Sequence, residues 1–580
     1  MAARRGVLLF VLLITLLGSL VLYAALSRHK ASPTGAVATV LVFKAPSSID
    51  EGPPPYRPYS LDAFRWRGRP TVTEFVDAID RAADDDHVKA LVLHVDGIDW
   101  GWGRIAEVRD ALLRFRASGK PLYASVTGGG DVEYLLASSA TTISAPPTAS
   151  LYVDGLTLSA LFLKGTFDKI GVTPNFAHVG EYKSAVESYT RTDLSAPARE
   201  ALDAVLDDDY ATLVDSVASA RRLSPDSVRA LIDRGPFDAT EARAGGLLDT
   251  LLYDAEVDTL AVRAVGGHPS TQQLSHYARD IMPARFGTHV ALVTAEGAIA
   301  GGKSRTSPGG GITLGAETLI EALRDVRHRR SIKAVILRID SPGGDAEASD
   351  EIWREVERLR RVKPVIVSMS DYAASGGYYI AMGANAIVAQ PGTLTGSIGI
   401  FGGKFNLLGL YRKLGLNVET LSRGKHAEMM SMYRDFTPEE AEHFQEHLES
   451  FYRGFVAKVA VNRGRSDAEI DSLARGRVWS GEAAFQRGLV DTLGGMDAAL
   501  ALVRRHAHLG ADETIVLDRY PIVERPFFQQ MLESLWGDEN DDDDAALKLL
   551  LEPVTRTWAA VAEMPPGRAL AILPYSIRIR

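Results

Sequence analysis

Cysteine is absent from the 580 residues. That excludes disulfides, thiol nucleophiles, thiolate metal sites and a lipid-modified N-terminal cysteine. An excess of basic charge is also missing. Lys and Arg number 64 against 74 Asp and Glu, for a net charge of −10. This removes the basic face that a nucleic-acid binder requires. No second membrane-length apolar run follows the first, and no metal or nucleotide motif is visible. What is present is a hydrophobic share of 46%, ordinary for a globular protein and too high for bulk disorder.

The one long apolar run opens the chain. Arg4 and Arg5 precede an uncharged stretch from Gly6 to Leu26. As a helix it would span roughly 31 Å, close to the ~30 Å of a bilayer core. Ala24-Ala25-Leu26-Ser27 is a poor cleavage site, so a retained signal anchor over residues 1–30 is the expectation. Arg4, Arg5 and the terminal amine favour an inside N-terminus, while Arg28 and Lys30 pull the other way. With no second span, the body is placed on the periplasmic or extracellular side.

The rest is organised by a tandem repeat. Val88–Asp96 resembles Ile332–Asp340, an offset of 244. Lys120-Pro121-Leu122 resembles Lys363-Pro364-Val365, Lys169–Val172 resembles Lys413–Leu416, and Gly246–Thr250 resembles Gly488–Thr492, all at offsets of 242 to 244. The period is too long for a solenoid, so a duplicated domain is expected. We assign residues 31–285 to the first copy, 286–525 to the second and 526–580 to a C-terminal tail of no assigned function. Within a copy, short buried-strand patterns (334–339, 364–368, 386–389) alternate with helical spacing such as Ile352, Trp353, Val356 and Leu359. That alternation predicts an α/β fold with a largely parallel sheet. Thr437-Pro438-Glu439-Glu440 predicts a helix start, with Ser195 at the matching place in the first copy. The acidic stretch 537–544 reads as a solvated loop.

Three small-residue clusters in the second copy could carry chemistry. Ser341-Pro342-Gly343-Gly344 ends a strand, where glycines can turn N–H groups toward a ligand, although a plain turn fits as well. Ala373-Ala374-Ser375-Gly376-Gly377 sets a serine just before a helix. There it serves equally as a nucleophile beside an oxyanion site or as an N-cap. Thr393–Gly403, which contains Ser397, reads alone as a tight loop. A serine nucleophile needs a base. None of the 13 histidines clusters beside these motifs, and His94 sits inside a strand pattern. No Gly-x-Ser-x-Gly elbow surrounds Ser375. The alternative base is a lysine with a destabilised ammonium, and Lys183 is the best candidate. Ser184 and Glu187 form a Ser-x-x-Glu capping box, predicting a helix whose positive end faces Lys183. Bringing a lysine from about 10.4 to about 7 takes some 4–5 kcal/mol, so burial would have to do most of it. Without burial, Lys183 is an ordinary surface lysine.

Taken together, the anchor, Tyr182-Lys183-Ser184-Ala185-Val186-Glu187, Asp340–Gly344, Ala373–Tyr378 and Leu394–Gly399 resemble the long, duplicated form of the bacterial signal peptide peptidase SppA (protease IV) family. The resemblance covers roughly residues 1–525. It implies tandem Clp-protease/crotonase-like α/β domains behind a transmembrane anchor. It also implies a serine peptidase with a Ser–Lys dyad that needs no cofactor and no metal. Ser375 would be the nucleophile and Lys183 the general base. Ser397 would hold the lysine amine, and Gly344, over Gly343, would donate to the oxyanion. Substrates would be signal-peptide remnants and other apolar peptides, cut at the inner membrane by a homotetramer. At the repeat offset, Ser375 falls on Asp131, Ser397 on Val153 and Lys183 on Ala427, so each copy holds half a site. Trp100 and Trp102 read as packed side chains, with lipid or substrate contact as the alternative. Two competing functions are an acyl-CoA enzyme of the crotonase type, which would use carboxylates, and a non-catalytic scaffold.

Overall fold

A computed structural model describes residues 38–52, 70–280, 286–306, 311–521 and 569–572. The expected anchor 6–26, the acidic stretch 537–544 and most of the tail lie outside the described residues. Among the described residues no helix is long and apolar enough to cross a membrane.

The repeated apolar runs become two largely parallel sheets that share a six-strand order, the second adding Leu394–Gly396 and Val478–Ser480, which pair antiparallel. Val88–Val95 and Ile332–Ser341 are buried at nearly every position, as strands covered on both faces must be. In the first sheet the neighbours run Thr250–Leu251, Thr142–Ala145, Leu122–Val126, Val88–Val95, Thr39–Lys44, Ser270–Gln273. In the second, Thr492–Leu493, Ala386–Ala389, Val365–Ala374, Ile332–Ser341, Thr288–Glu296 and Ile515–Tyr520 take the corresponding places. The duplicated α/β architecture is therefore present, and each copy has its own apolar core.

Local signals explain the helices. Ala346–Arg360 turns Ile352, Val356 and Leu359 inward, with Trp353 partly covered. Thr437 caps Pro438–Arg463 in a reciprocal box with Glu440, and Ser195 caps Ala196–Arg221. His94 is packed, with Nε2 2.9 Å from Asp258 Oδ1. Trp100 and Trp102 are buried too, and Trp100 Nε1 donates to the Pro46 carbonyl at 2.9 Å.

One expectation is corrected. Ser184 and Glu187 do not form a capping box. Ser184–Val186 is a single 3₁₀ turn without a side-chain cap, and Glu187 instead accepts from the Ser195 amide at 3.0 Å. A short α-helix, Glu187–Thr190, does follow the turn directly, so a helix starts here without the expected box.

A third sheet joins the copies. Its order is Arg305–Thr306, Ile312–Gly315, Ala298–Ala300, Gly343–Asp345, Ala569–Ile572, Ile400–Asn406, Thr173–Val179. The last strand, from the first copy, pairs antiparallel with Ile400–Asn406 over seven residue pairs. We call Thr173–Val179 the arm strand.

Candidate active site

The arm strand delivers Lys183 into the second copy. After Val179 the chain turns at Gly180, and the Tyr182 amide donates to the Arg475 carbonyl at 2.9 Å. Lys183 then runs inward past two glycines. A Cβ on Gly476, whose φ is +82°, would stand 2.5 Å from the Lys183 backbone nitrogen. A Cβ on Gly399 would stand 3.1 Å from Lys183 Cδ. Both glycines are therefore part of the lysine's channel.

Ser375 ends the strand Val365–Ala374 and opens the helix Gly376–Ala381. Its φ of +55° and ψ of −109° are strained for a residue with a Cβ. The backbone is held there by its amide, which donates to Gly396 O at 2.8 Å, and by its carbonyl, which accepts from Tyr379 N at 2.8 Å. The Ser375 side chain makes no cap hydrogen bond, so the N-cap reading fails. Its Oγ instead lies 2.8 Å from Lys183 Nζ. Ser397, also at positive φ (+49°), places Oγ 2.9 Å and its carbonyl oxygen 3.2 Å from the same nitrogen. All three residues are fully buried. Burial drives the Lys183 ammonium well below the ordinary lysine range.

The glycine turn begins two residues after Ser341, which pairs with Ala373, two residues before Ser375. Gly343 has φ +99°, and its amide donates to Ser341 Oγ at 3.2 Å. Gly344 pairs with Ile299, and a Cβ there would stand 2.0 Å from the Ile299 carbonyl. A side chain is therefore excluded. A Cβ on Gly377 would stand 2.5 Å from the Ser341 carbonyl, so the helix after Ser375 packs against the turn. The strand Ala569–Ile572 runs antiparallel to both Gly343–Asp345 and Ile400–Asn406. Its Leu570 is buried with Ala185, Val186 and Phe401, two and three residues past Lys183. Sequence reasoning gave the tail no role, and only the short apolar run Ala569–Ile572 marked it.

Among the described residues the first copy holds no equivalent trio. Asp131 begins the helix there, its carboxyl pushed up to about 7 by burial while Oδ2 accepts from the Gly155 amide at 3.1 Å. Val153 is buried, and Ala427 in the second copy is exposed. One group among the described residues could hold a metal. His426, Glu439 and His443 bring donor atoms within 4.8 Å of one another, on the surface.

The pattern of peptidase family S49 matches residues 114–265 and 357–510, one stretch in each copy. The chain belongs to peptidase family S49. It is 37% identical to the chloroplastic serine protease SPPA of Arabidopsis thaliana, over 83% of this chain and 72% of that one. It is 35% identical to Protease 4 of Salmonella typhi, over 77% and 74% of the two chains. Protease 4 of Haemophilus influenzae is 33% identical, over 74% and 71%. Among solved structures, a mutant of ClpP1 from Listeria monocytogenes aligns over 36% of this chain and 94% of its own, at 17% identity and a TM-score of 0.24. As a member of this family the chain is a serine peptidase, which sets aside the acyl-CoA and scaffold readings.

Proposed function

We propose that this peptidase works through a Ser375–Lys183 dyad assembled from both copies, and that it degrades signal-peptide remnants at the membrane. The observation that carries the dyad is the 2.8 Å approach of Lys183 Nζ to Ser375 Oγ in a fully buried setting. A lysine kept neutral by burial can accept the hydroxyl proton as Oγ attacks the scissile carbonyl carbon. The C–N bond then breaks as the lysinium returns that proton to the leaving amine. A water molecule enters, loses a proton to Lys183 and hydrolyses the acyl-enzyme. Ser397 Oγ and its carbonyl hold Nζ in line through these exchanges. The Gly344 amide is taken as the oxyanion donor over that of Gly343, which donates to Ser341 Oγ.

Two features support an apolar substrate. The slot between Gly343–Asp345 and Ile400–Asn406 accepts an extended chain, as Ala569–Ile572 demonstrates. The recess beside Lys183 that takes Leu570 is lined by Ala185, Val186 and Phe401. The apolar run 6–26 would hold such a site against the inner membrane, with the body on the periplasmic or extracellular side and the chain assembled as a homotetramer. The test is hydrolysis of a synthetic signal-peptide remnant by the full chain, Ser375→Ala and Lys183→Ala. Loss of turnover in both folded variants is expected. Retained turnover in either would overturn the dyad.

A further inference from the structure

The strand that ends in Ser375 does not run in simple register with its neighbour. Ile332–Ser341 and Val365–Ala374 pair regularly up to Ile339 with Met369, and the next pair is Ser341 with Ala373. One strand advances two residues while the other advances four. Ser370, Asp371 and Tyr372 therefore bulge opposite Asp340. A slip of this kind loses ladder hydrogen bonds and re-aims whatever follows it. Here Gly343 and Gly344 follow on one strand, and Ser375 on the other.

Side chains repair the slip. Asp340 Oδ1 accepts from the Tyr372 amide at 2.9 Å, in place of a backbone carbonyl. Its other oxygen accepts from Arg104 Nη2 at 2.6 Å. Arg104 belongs to the first copy, in the opening turn of the helix Trp102–Ala117. That turn also grips the bulge directly. The Arg104 amide donates to Asp371 Oδ1 at 2.8 Å, and the Gly101 amide donates to Asp371 Oδ2 at 3.2 Å. A Cβ on Gly103 would stand 2.5 Å from the Ser370 carbonyl, so backbone lies on backbone. Arg104 Nε donates to Glu51 Oε1 at 3.1 Å, which fixes the guanidinium from behind. The Arg104 side chain is only 14% exposed.

We propose that Arg104 is a positioning residue for the second copy's site. Through Asp340 and Asp371 it fixes the slipped junction and thereby the placement of the Gly344 amide relative to Ser375 Oγ. The first copy then supplies both the proposed base and the brace that aligns the proposed nucleophile with its oxyanion donor. This rests on the Ser375–Lys183 reading. Lysine at position 104 keeps the charge but cannot reach Glu51 and Asp340 at once, because it lacks the fork.

The experiment measures kcat and KM of the full chain on an apolar peptide p-nitroanilide, per active site titrated with an acylating probe. Parent, Arg104→Lys, Asp340→Asn and Ser375→Ala are compared. Arg104→Lys is expected to lower kcat roughly 10- to 100-fold with KM changed less than about twofold, the signature of misalignment. Asp340→Asn keeps the acceptor for Tyr372 but loses the ion pair, and is expected to fall between parent and Arg104→Lys. It also reads the brace if Arg104→Lys does not fold. A parental kcat in both variants, with Ser375→Ala inactive, overturns the brace alone. Loss that tracks only the number of titrated sites, at unchanged kcat per site, also overturns it. Activity retained in Ser375→Ala overturns the brace together with the dyad beneath it.

Discussion

At the scale of single residues, Lys183 has both a cost and a use. Burial holds its ammonium well below the usual 10.5. Between that lowered value and 10.5 the unfolded chain carries a proton that the native chain refuses, so native stability rises with pH across the window. Replacing Lys183 by Met removes the penalty. Lys183→Met is expected to raise the thermal midpoint at pH 7 by about 2 °C or more while abolishing turnover, and the gain should shrink toward pH 10. Differential scanning fluorimetry across pH checks this, and an unchanged or lower midpoint at pH 7 would count against it. In the proposed dyad the same lowered value sets the rate. A general base must be unprotonated, so kcat/KM is expected to rise with pH through the free enzyme's Lys183 and to be lost below it. A profile that falls as pH rises would assign the limb to an acid instead. Lys183 and Ser375 were singled out from distinctive motifs, and burial, which the sequence reading required to supply most of the lysine's shift, is its cause. The expected capping box is absent, and burial by residues distant in sequence does the work.

Among the elements, two deserve separate tests because neither carried a strong sequence signal. Gly476 stands between Arg475 and Arg477, with nothing local to mark it. Its role becomes apparent only when the arm strand pairs with Ile400–Asn406 and brings Lys183 against it. Gly476→Ala adds a Cβ at positive φ against Lys183, and is expected to cost about 1–3 kcal/mol and to lower kcat at least tenfold. Denaturant unfolding and steady-state kinetics read both. The second element is Ala569–Ile572, which occupies the slot proposed for peptide. An occupant of the slot reduces the fraction of molecules competent to bind substrate, which raises apparent KM. A chain ended after residue 525 is therefore expected to show KM lowered severalfold with kcat little changed. Unchanged KM would mean that substrate enters elsewhere. The main strands and the two 26-residue helices, by contrast, followed from periodicity and caps. Those signals are local, whereas strand order in the joining sheet depends on partners hundreds of residues apart.

At the scale of the whole molecule, a buried charge network lies between the two copies. Arg338 is fully buried, and its guanidinium meets Glu51 at 2.8 Å, Glu107 at 2.5 Å and Ser368 at 2.8 Å. Glu51 and Glu107 come from the first copy and Arg338 and Ser368 from the second, so the network is a second joint between them, beside the joining sheet. A buried ion pair contributes little net stability while intact, but removing one partner strands the others. Arg338→Met is expected to destabilise the chain by about 3–5 kcal/mol, read by urea unfolding, and a cost under about 1 kcal/mol would contradict the joint. The duplication itself was legible from a constant offset. The joint was not, because Glu51, Glu107 and Arg338 each look like isolated charges until the copies are docked. Trapping the acyl-enzyme tests the central claim most directly. The full chain, Ser375→Ala and Lys183→Ala would each be treated with an acylating peptide probe and the labelled residue mapped by mass spectrometry. Label on Ser375 in the parent, and none in either folded variant, is the expected result. Label on another residue, or labelling that survives in Lys183→Ala at the parental rate, would contradict a dyad built across the two copies.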